Sequence, residues 1–202
     1  MNPIEKLLSK LASFPHSDTV GNPYVEQYAV DNLRYYFEYM LNQRGKRILL
    51  VGEAPGYKGC RITGIPFTSG RVVCEVQHPM LIDLKDKIHL PSVEAESTAT
   101  IVWKYLAGIN KTPLFWNSFP FHPHPEGISN KNRPPTNEEV IFGAEILSEI
   151  HQIYKPDFVA GIGHKGVSAL ERILPNQEIQ YIRHPSNGGK PQFVEGMINV
   201  IS

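Results

Sequence analysis

Four short apolar runs constrain this chain more than any other feature. They are Arg47–Gly52, Thr112–Asn117, Asp157–Ile162 and Gln177–Ile182. Runs of this length, bounded by Gly, Pro, Asn and Asp, predict strands and not buried helices. The stretches between them have the other period. Helices are predicted over Val93–Leu106, from the capping box Thr136-Asn-Glu-Glu139 to Tyr154, over His164–Ile173, and over Pro191–Ile201. Strands that alternate with helices need right-handed crossovers, which make the sheet parallel and cover both of its faces. The expected fold is α/β: three α/β/α layers around a central, mainly parallel four-stranded sheet. Two further helices are expected ahead of it, within about residues 1–44. Asn2-Pro3 opens the first, with Ile4, Leu7, Leu8 and Leu11 on one stripe, and Asn22-Pro23 opens the second, running to about Gln43. A chain of 202 residues suits one domain over residues 1–202.

Composition narrows the function classes. The 20 Lys and Arg balance the 20 Asp and Glu, which argues against a protein that coats nucleic acid indiscriminately but leaves room for a local basic site. No apolar run approaches the roughly 20 residues that cross a bilayer, so no membrane association is expected. The N-terminus alternates Leu with Lys, Glu and Ser, as an amphipathic helix does and a signal peptide does not, and a cytoplasmic location is expected. Cys60 and Cys74 are too few for a disulfide scaffold or a four-cysteine metal cluster.

Ligands of parallel α/β sheets sit beyond the carboxyl ends of the strands. Three loops that leave such ends are crowded with chemically useful residues. They are Gly52-Glu-Ala-Pro-Gly56 continuing to Gly70, Trp116-Asn117 continuing to His124, and Ile182-Arg-His-Pro-Ser-Asn-Gly-Gly-Lys190. In their order and spacing these motifs resemble the uracil-DNA glycosylase superfamily, over about residues 47–190. Gly-Glu-Ala-Pro-Gly at 52–56 is similar to the iron-sulfur type. The spacing from Pro55-Gly56 through Gly59 to Thr63-Gly-Ile-Pro-Phe67 is similar to the single-strand-selective monofunctional type. Asn117, with Asn132-Arg-Pro-Pro-Thr136 after it, resembles the second block of the iron-sulfur family, and His184-Pro-Ser186 resembles the histidine motif of most families.

The resemblance implies a monofunctional DNA N-glycosylase. It would hydrolyse the N-glycosidic bond of uracil or a related deaminated base, extruded from the stack, in the first step of base excision repair. The three residues Phe67, Asn117 and His184 would converge on one slot. Phe67 supplies a stacking face, and Asn117 offers a donor and an acceptor that answer uracil O4 and N3–H together. His184 donates to O2, where negative charge develops. Glu53 positions or activates the attacking water. Ala54, expected to line the base-binding slot, is a departure, because the best-known uracil glycosylases carry Asp or Asn, the usual water-holding residue, at the matching position. It leaves open a second possibility, a catalytically silent nucleic-acid or nucleotide binding module. Ser69, Ser186, the N–H groups of Gly188 and Gly189, and Lys190 are the expected phosphate contacts, with Arg183 nearby.

Two cysteines cannot supply the four thiolates of an iron-sulfur cluster, so no cofactor and no metal are expected. The Asn187-Gly-Gly-Lys190 loop lacks a bulky apolar wedge, which makes single strands and mismatched duplex the easier DNA partners. Residues 54–74, 115–137 and 179–194 hold seven basic side chains and one acid, leaving 13 basic and 19 acidic elsewhere. A neutral total thus hides a basic surplus around the proposed mouth. Other assignments are weaker. His122-Pro-His124 reads as an exposed loop more readily than as a metal site. Cys60 reads as an inert thiol more readily than as a nucleophile, and Tyr35, Tyr36, Phe37 and Tyr39 as packing residues.

Overall fold

The structure is a computed structural model that describes residues 2–201. In chain order it comprises α1 (Pro3–Ala12), β1 (Val20–Gly21), a 3-10 turn (Pro23–Val25), α2 (Gln27–Asn42), β2 (Ile48–Gly52), α3 (Cys60–Thr63), α4 (Gly70–Glu75) and α5 (Pro79–Leu84). It continues with α6 (Ser97–Leu106), β3 (Leu114–Asn117), β4 (His122–Pro123), α7 (Asn137–Tyr154), β5 (Phe158–Ile162), α8 (His164–Ile173), β6 (Gln180–Ile182) and α9 (Lys190–Ile201). As expected, the fold is α/β with a four-stranded sheet. Its order is β3-β2-β5-β6 and every pairing is parallel. Among the described residues no helix is long and apolar enough to cross a membrane.

Two compact units make up the chain. The first takes in the chain up to Gln43 together with Pro55–Asn110 and Phe121–Pro134. Here α1 buries Ile4, Leu7, Leu8 and Leu11 against α2, and Arg34 Nε of α2 donates to Glu5 Oε1 of α1 at 2.8 Å. Asn22 does not open a long helix. Its carboxamide accepts from Tyr24 N and donates to the carbonyls of Leu11 and Phe14, all at 2.8 Å, so it caps the 3-10 turn and pins the loop to the end of α1. The helix restarts at Gln27. Likewise α6 begins at Ser97 and not at Val93, because the Glu96 carboxylate accepts from Thr98 N at 2.9 Å and Ala99 N at 2.6 Å and so forms the cap. A two-residue antiparallel pairing of β1 with β4 is too short to leave a period in the sequence.

The second unit takes in Arg44–Ala54, Lys111–Pro120 and the chain from Pro135 onward, and it contains the whole four-stranded sheet. All residues of β2 are buried, and the strand is hydrogen-bonded on one edge to β3 and on the other to β5. Both outer strands are shorter than their apolar runs. Pro113 has no N–H to give the ladder ahead of β3, and Gln177 N donates to Leu174 O at 3.1 Å in the turn before β6. The capping box of α7 is present, with Thr136 Oγ1 accepting from Glu139 N at 3.2 Å and Glu139 Oε2 accepting from Thr136 N at 2.8 Å. Helix α8 lies on β2 and β5 at the distance set by Gly166, where an added Cβ would stand 1.9 Å from Val51 O. Backbone cannot move aside there. Gly166→Ala is therefore expected to cost on the order of 3 kcal/mol, read as a lowered urea midpoint, while Gly108→Ala, in open space, stays within about 0.5 kcal/mol.

Candidate functional site

The carboxyl edge of the four-stranded sheet collects polar residues from separate strands. Gly52, the last residue of β2, pairs with Asn117, the last of β3. The loops beyond them are laced together: Ser118 N donates to Gly52 O at 2.8 Å, and Glu53 O accepts from Phe119 N at 3.1 Å and from Ser118 Oγ at 2.6 Å. This ladder holds Glu53 through its backbone and leaves its carboxyl free of hydrogen bonds among the described residues. Burial raises the pKa of that carboxyl, and the nearby positive charge of Lys165 opposes the rise. Asn117 is only 4% exposed, yet its carboxamide makes no hydrogen bond among the described residues. It does not cap the following loop. Its polar atoms are not sealed from solvent as the Ser69 hydroxyl is, so its donor and acceptor stay open to a group outside the protein.

Strand β6 delivers the third residue. Gly163 N donates to Ile182 O at 2.8 Å, which fixes the loops beyond β5 and β6 side by side, with His184 two residues past the strand end. The Ser186 backbone N–H donates to His184 Nδ1 at 3.2 Å, and Ser186 Oγ lies 2.7 Å from the same nitrogen. A backbone N–H can only donate, so Nδ1 is the accepting nitrogen and the neutral ring carries its proton on Nε2. That Nε2–H has no partner among the described residues. Burial, and after it the charge of Arg183, pushes the His184 pKa below its ordinary value, so the ring is neutral at neutral pH. The loop folds back tightly. Asn187 and Gly188 adopt positive φ (52° and 75°), and a Cβ on Gly189 would stand 2.1 Å from His184 O. Gly189 N is spent on Ser186 O at 3.0 Å, so of the two glycine N–H groups expected at a phosphate only that of Gly188 is unengaged among the described residues.

Phe67 and Ser69 belong to the first unit. Phe67 is a non-glycine residue at φ 54°, a strained conformation held in part by its carbonyl accepting from Trp103 Nε1 at 3.0 Å. Phe67 as a whole is 8% exposed. Ser69 is fully buried and its hydroxyl has no hydrogen-bond partner, so a phosphate contact there would need the surrounding chain to open. Ala54, at the end of its segment of the second unit, is half-buried and carries no polar group. Lys190 opens α9 and is exposed.

The charge surplus is smaller than the sequence alone implies. Lys58 lies 4.0 Å from Glu94 and Arg71 lies 3.6 Å from Glu75, both acids outside the segments that were counted, and Arg133 donates to the carbonyls of His124, Pro134 and Thr19. The His122 and His124 loop is buried and not exposed. Their rings stack with centroids 5.4 Å apart, and His122 Nδ1 and Nε2 face Pro55 O at 2.9 Å and Ser129 O at 3.2 Å. His122 is thus a clasp between the first motif loop and the 125–134 loop, a role that no spacing in the sequence announces. Cys60 is buried, and burial pushes its thiol up to about 12, as befits an inert thiol. Lys165 is the other residue that sequence inspection missed, since nothing local links it to Glu53.

Comparison with known proteins bears on the same elements. The family model for the uracil DNA glycosylase superfamily matches residues 40–194, which include every strand of the four-stranded sheet. No curated protein sequence matches the chain. Among solved structures, that of wild-type SMUG2 from Pedobacter heparinus is similar, with a TM-score of 0.64 over 98% of this chain and 96% of that one. At 14% identity the likeness is one of fold.

The histidine geometry yields a spectroscopic expectation. In 15N-labelled protein at pH 7 the His184 ring shows the Nε2–H tautomer, and its titration midpoint lies below 6.5. Ser186→Ala keeps the tautomer, because the backbone donor remains. The unfolded chain binds this proton first, so the contribution of His184 to stability falls as the pH drops below about 6.5. A ring protonated on Nδ1 at neutral pH would contradict the assignment.

Proposed function

Because the chain belongs to the uracil DNA glycosylase superfamily, we propose that it hydrolyses the N-glycosidic bond of uracil or a related deaminated base in DNA. The supporting observation is the Asn117 carboxamide, which has no hydrogen-bond partner among the described residues, on the same sheet edge as the Glu53 carboxyl and the His184 Nε2–H. The Asn117 side chain answers O4 and N3–H of an extruded uracil, while cytosine presents the reverse polarity. As the bond between N1 and C1′ breaks, its electron pair moves into the base, and negative charge grows on O2. A neutral His184 donates to that oxygen from Nε2 without having to give up the Ser186 bond at Nδ1. Ionised Glu53 orients the water that attacks C1′ and takes its proton. Phe67 supplies the stacking face, and the Gly188 N–H and Lys190 hold backbone phosphate. With no apolar wedge between Asn187 and Lys190, single strands and mismatched duplexes are the preferred DNA.

The test is abasic-site formation on a uracil-containing oligonucleotide, single-stranded or mismatched, with no metal or cofactor added. Asn117→Ala and His184→Ala are each expected to lower kcat/KM by about 10²- to 10³-fold. Glu53→Gln is expected to remove the acidic limb of the pH profile, a limb that burial of Glu53 places above the ordinary glutamate range. Equal activity in the variants would remove these roles. Inactivity across uracil, hypoxanthine, xanthine and mismatched thymine, with DNA binding kept, would identify a binding module instead, for which the apolar Ala54 is the motivating residue.

A further inference from the structure

The first turn of α8 is built against its own electrostatics. It begins His164-Lys165 and contains no acidic residue, although the amino end of a helix carries a partial positive charge and disfavours cations. The position of Lys165 is nevertheless fixed with care. Gly166, the next residue, sits so close to the Val51 carbonyl that only a glycine fits, and this seats the first turn of α8 beside the carboxyl end of β2, two residues short of Glu53. The half-buried Lys165 Nζ donates to Pro135 O at 3.2 Å, a carbonyl held by the capped start of α7. An ammonium has three donors, and the other two have no partner among the described residues. Just past the end of β2, Glu53 is half-buried with a carboxyl that accepts no hydrogen bond among the described residues, while Ser118 and Phe119 donate to its backbone carbonyl.

From this juxtaposition we propose that Lys165 is a positioning residue for Glu53, its ammonium being the counter-charge that keeps the carboxylate in place beside the end of β2. The inference rests on the proposed role of Glu53 in handling the attacking water. A carboxyl that must accept a proton has to be ionised at working pH, and burial alone works against that. Lys165 is the one charged group acting on the Glu53 carboxyl among the described residues, and it acts in the opposite sense to burial. A helix-end cation that costs the helix something is then retained for what it does to its neighbour.

The decisive measurement is a carboxyl 13C titration of Glu53 in the full chain, in wild type, Lys165→Met, Lys165→Gln and Lys165→Arg. Both neutral variants are expected to move the Glu53 midpoint upward by about one pH unit and Lys165→Arg to restore it, while all three stay folded, their urea midpoints lowered at most by the loss of the bond to Pro135 O. The acidic limb of kcat/KM on a uracil oligonucleotide should move by the same amount. An unchanged Glu53 midpoint in both neutral variants overturns the pairing. A midpoint that moves while the pH–rate profile does not upholds the pairing and overturns the water-handling role of Glu53.

Discussion

A buried strand hydrogen-bonded along both edges can end in only one direction, and the chemistry of the second unit depends on where β2 ends. Its ladders to β3 and β5 align three carboxyl termini, and the outer pairing of β5 with β6 adds a fourth. Because every pairing is parallel, Glu53, Asn117 and His184 leave the sheet at the same edge although they lie far apart in sequence. Parallel strands need crossovers, and the crossover α8 is seated by Gly166 on the Val51 carbonyl. Removal of a single side chain thus brings the cation of Lys165 to the same strand end as the carboxyl of Glu53.

Burial acts on the two titratable residues in opposite chemical senses with a common result. It raises the Glu53 carboxyl and lowers the His184 imidazole, so both are pushed toward their neutral forms. For His184 neutrality is the useful state, since the Ser186 N–H occupies Nδ1 and the remaining proton sits on Nε2. For Glu53 neutrality is the wrong state for taking a proton, so there a neighbouring cation opposes the effect of burial, whereas beside His184 the charge of Arg183 acts in the same sense as burial. Asn117 completes the pattern as a largely buried residue whose carboxamide makes no hydrogen bond among the described residues. Polar groups left unpaired at one edge lower stability, and a fold carries such a cost where a ligand is to be met.

Much of this was legible along the chain. The apolar runs gave the four strands, the Thr136 to Glu139 box gave the start of α7, and the three loop motifs gave Glu53, Asn117 and His184 at strand ends. The misses have local causes. Asn22 looked like a helix opener because Asn-Pro caps α-helices and 3-10 turns alike, and only its bonds to Leu11 and Phe14 distinguish the two. Glu96 capped α6 in a place where apolar Val93 suggested an earlier start. The His122 loop looked exposed because its prolines mark turns, but a proline-rich turn can be buried when its polar atoms find carbonyls. Lys58 and Arg71 meet Glu94 and Glu75, acids outside the basic segments, and such pairings between segments leave no mark in local composition.

The sequence by itself determined the α/β class, the order of elements and the identity of the side chains at the strand ends, because hydrophobic period and turn chemistry are local properties. Only tertiary structure decided which of those side chains keep free hydrogen-bonding groups. Gly189 spends its N–H inside a turn, Ser69 is sealed from solvent, and Asn117 stays unpartnered among the described residues, though the sequence offers all three alike as ligand contacts. Tertiary structure also decided the proton position on His184 and the approach of Lys165 to β2. Burial and electrostatic neighbours depend on distances through space, and a linear chain does not encode those distances until strands from remote segments have paired.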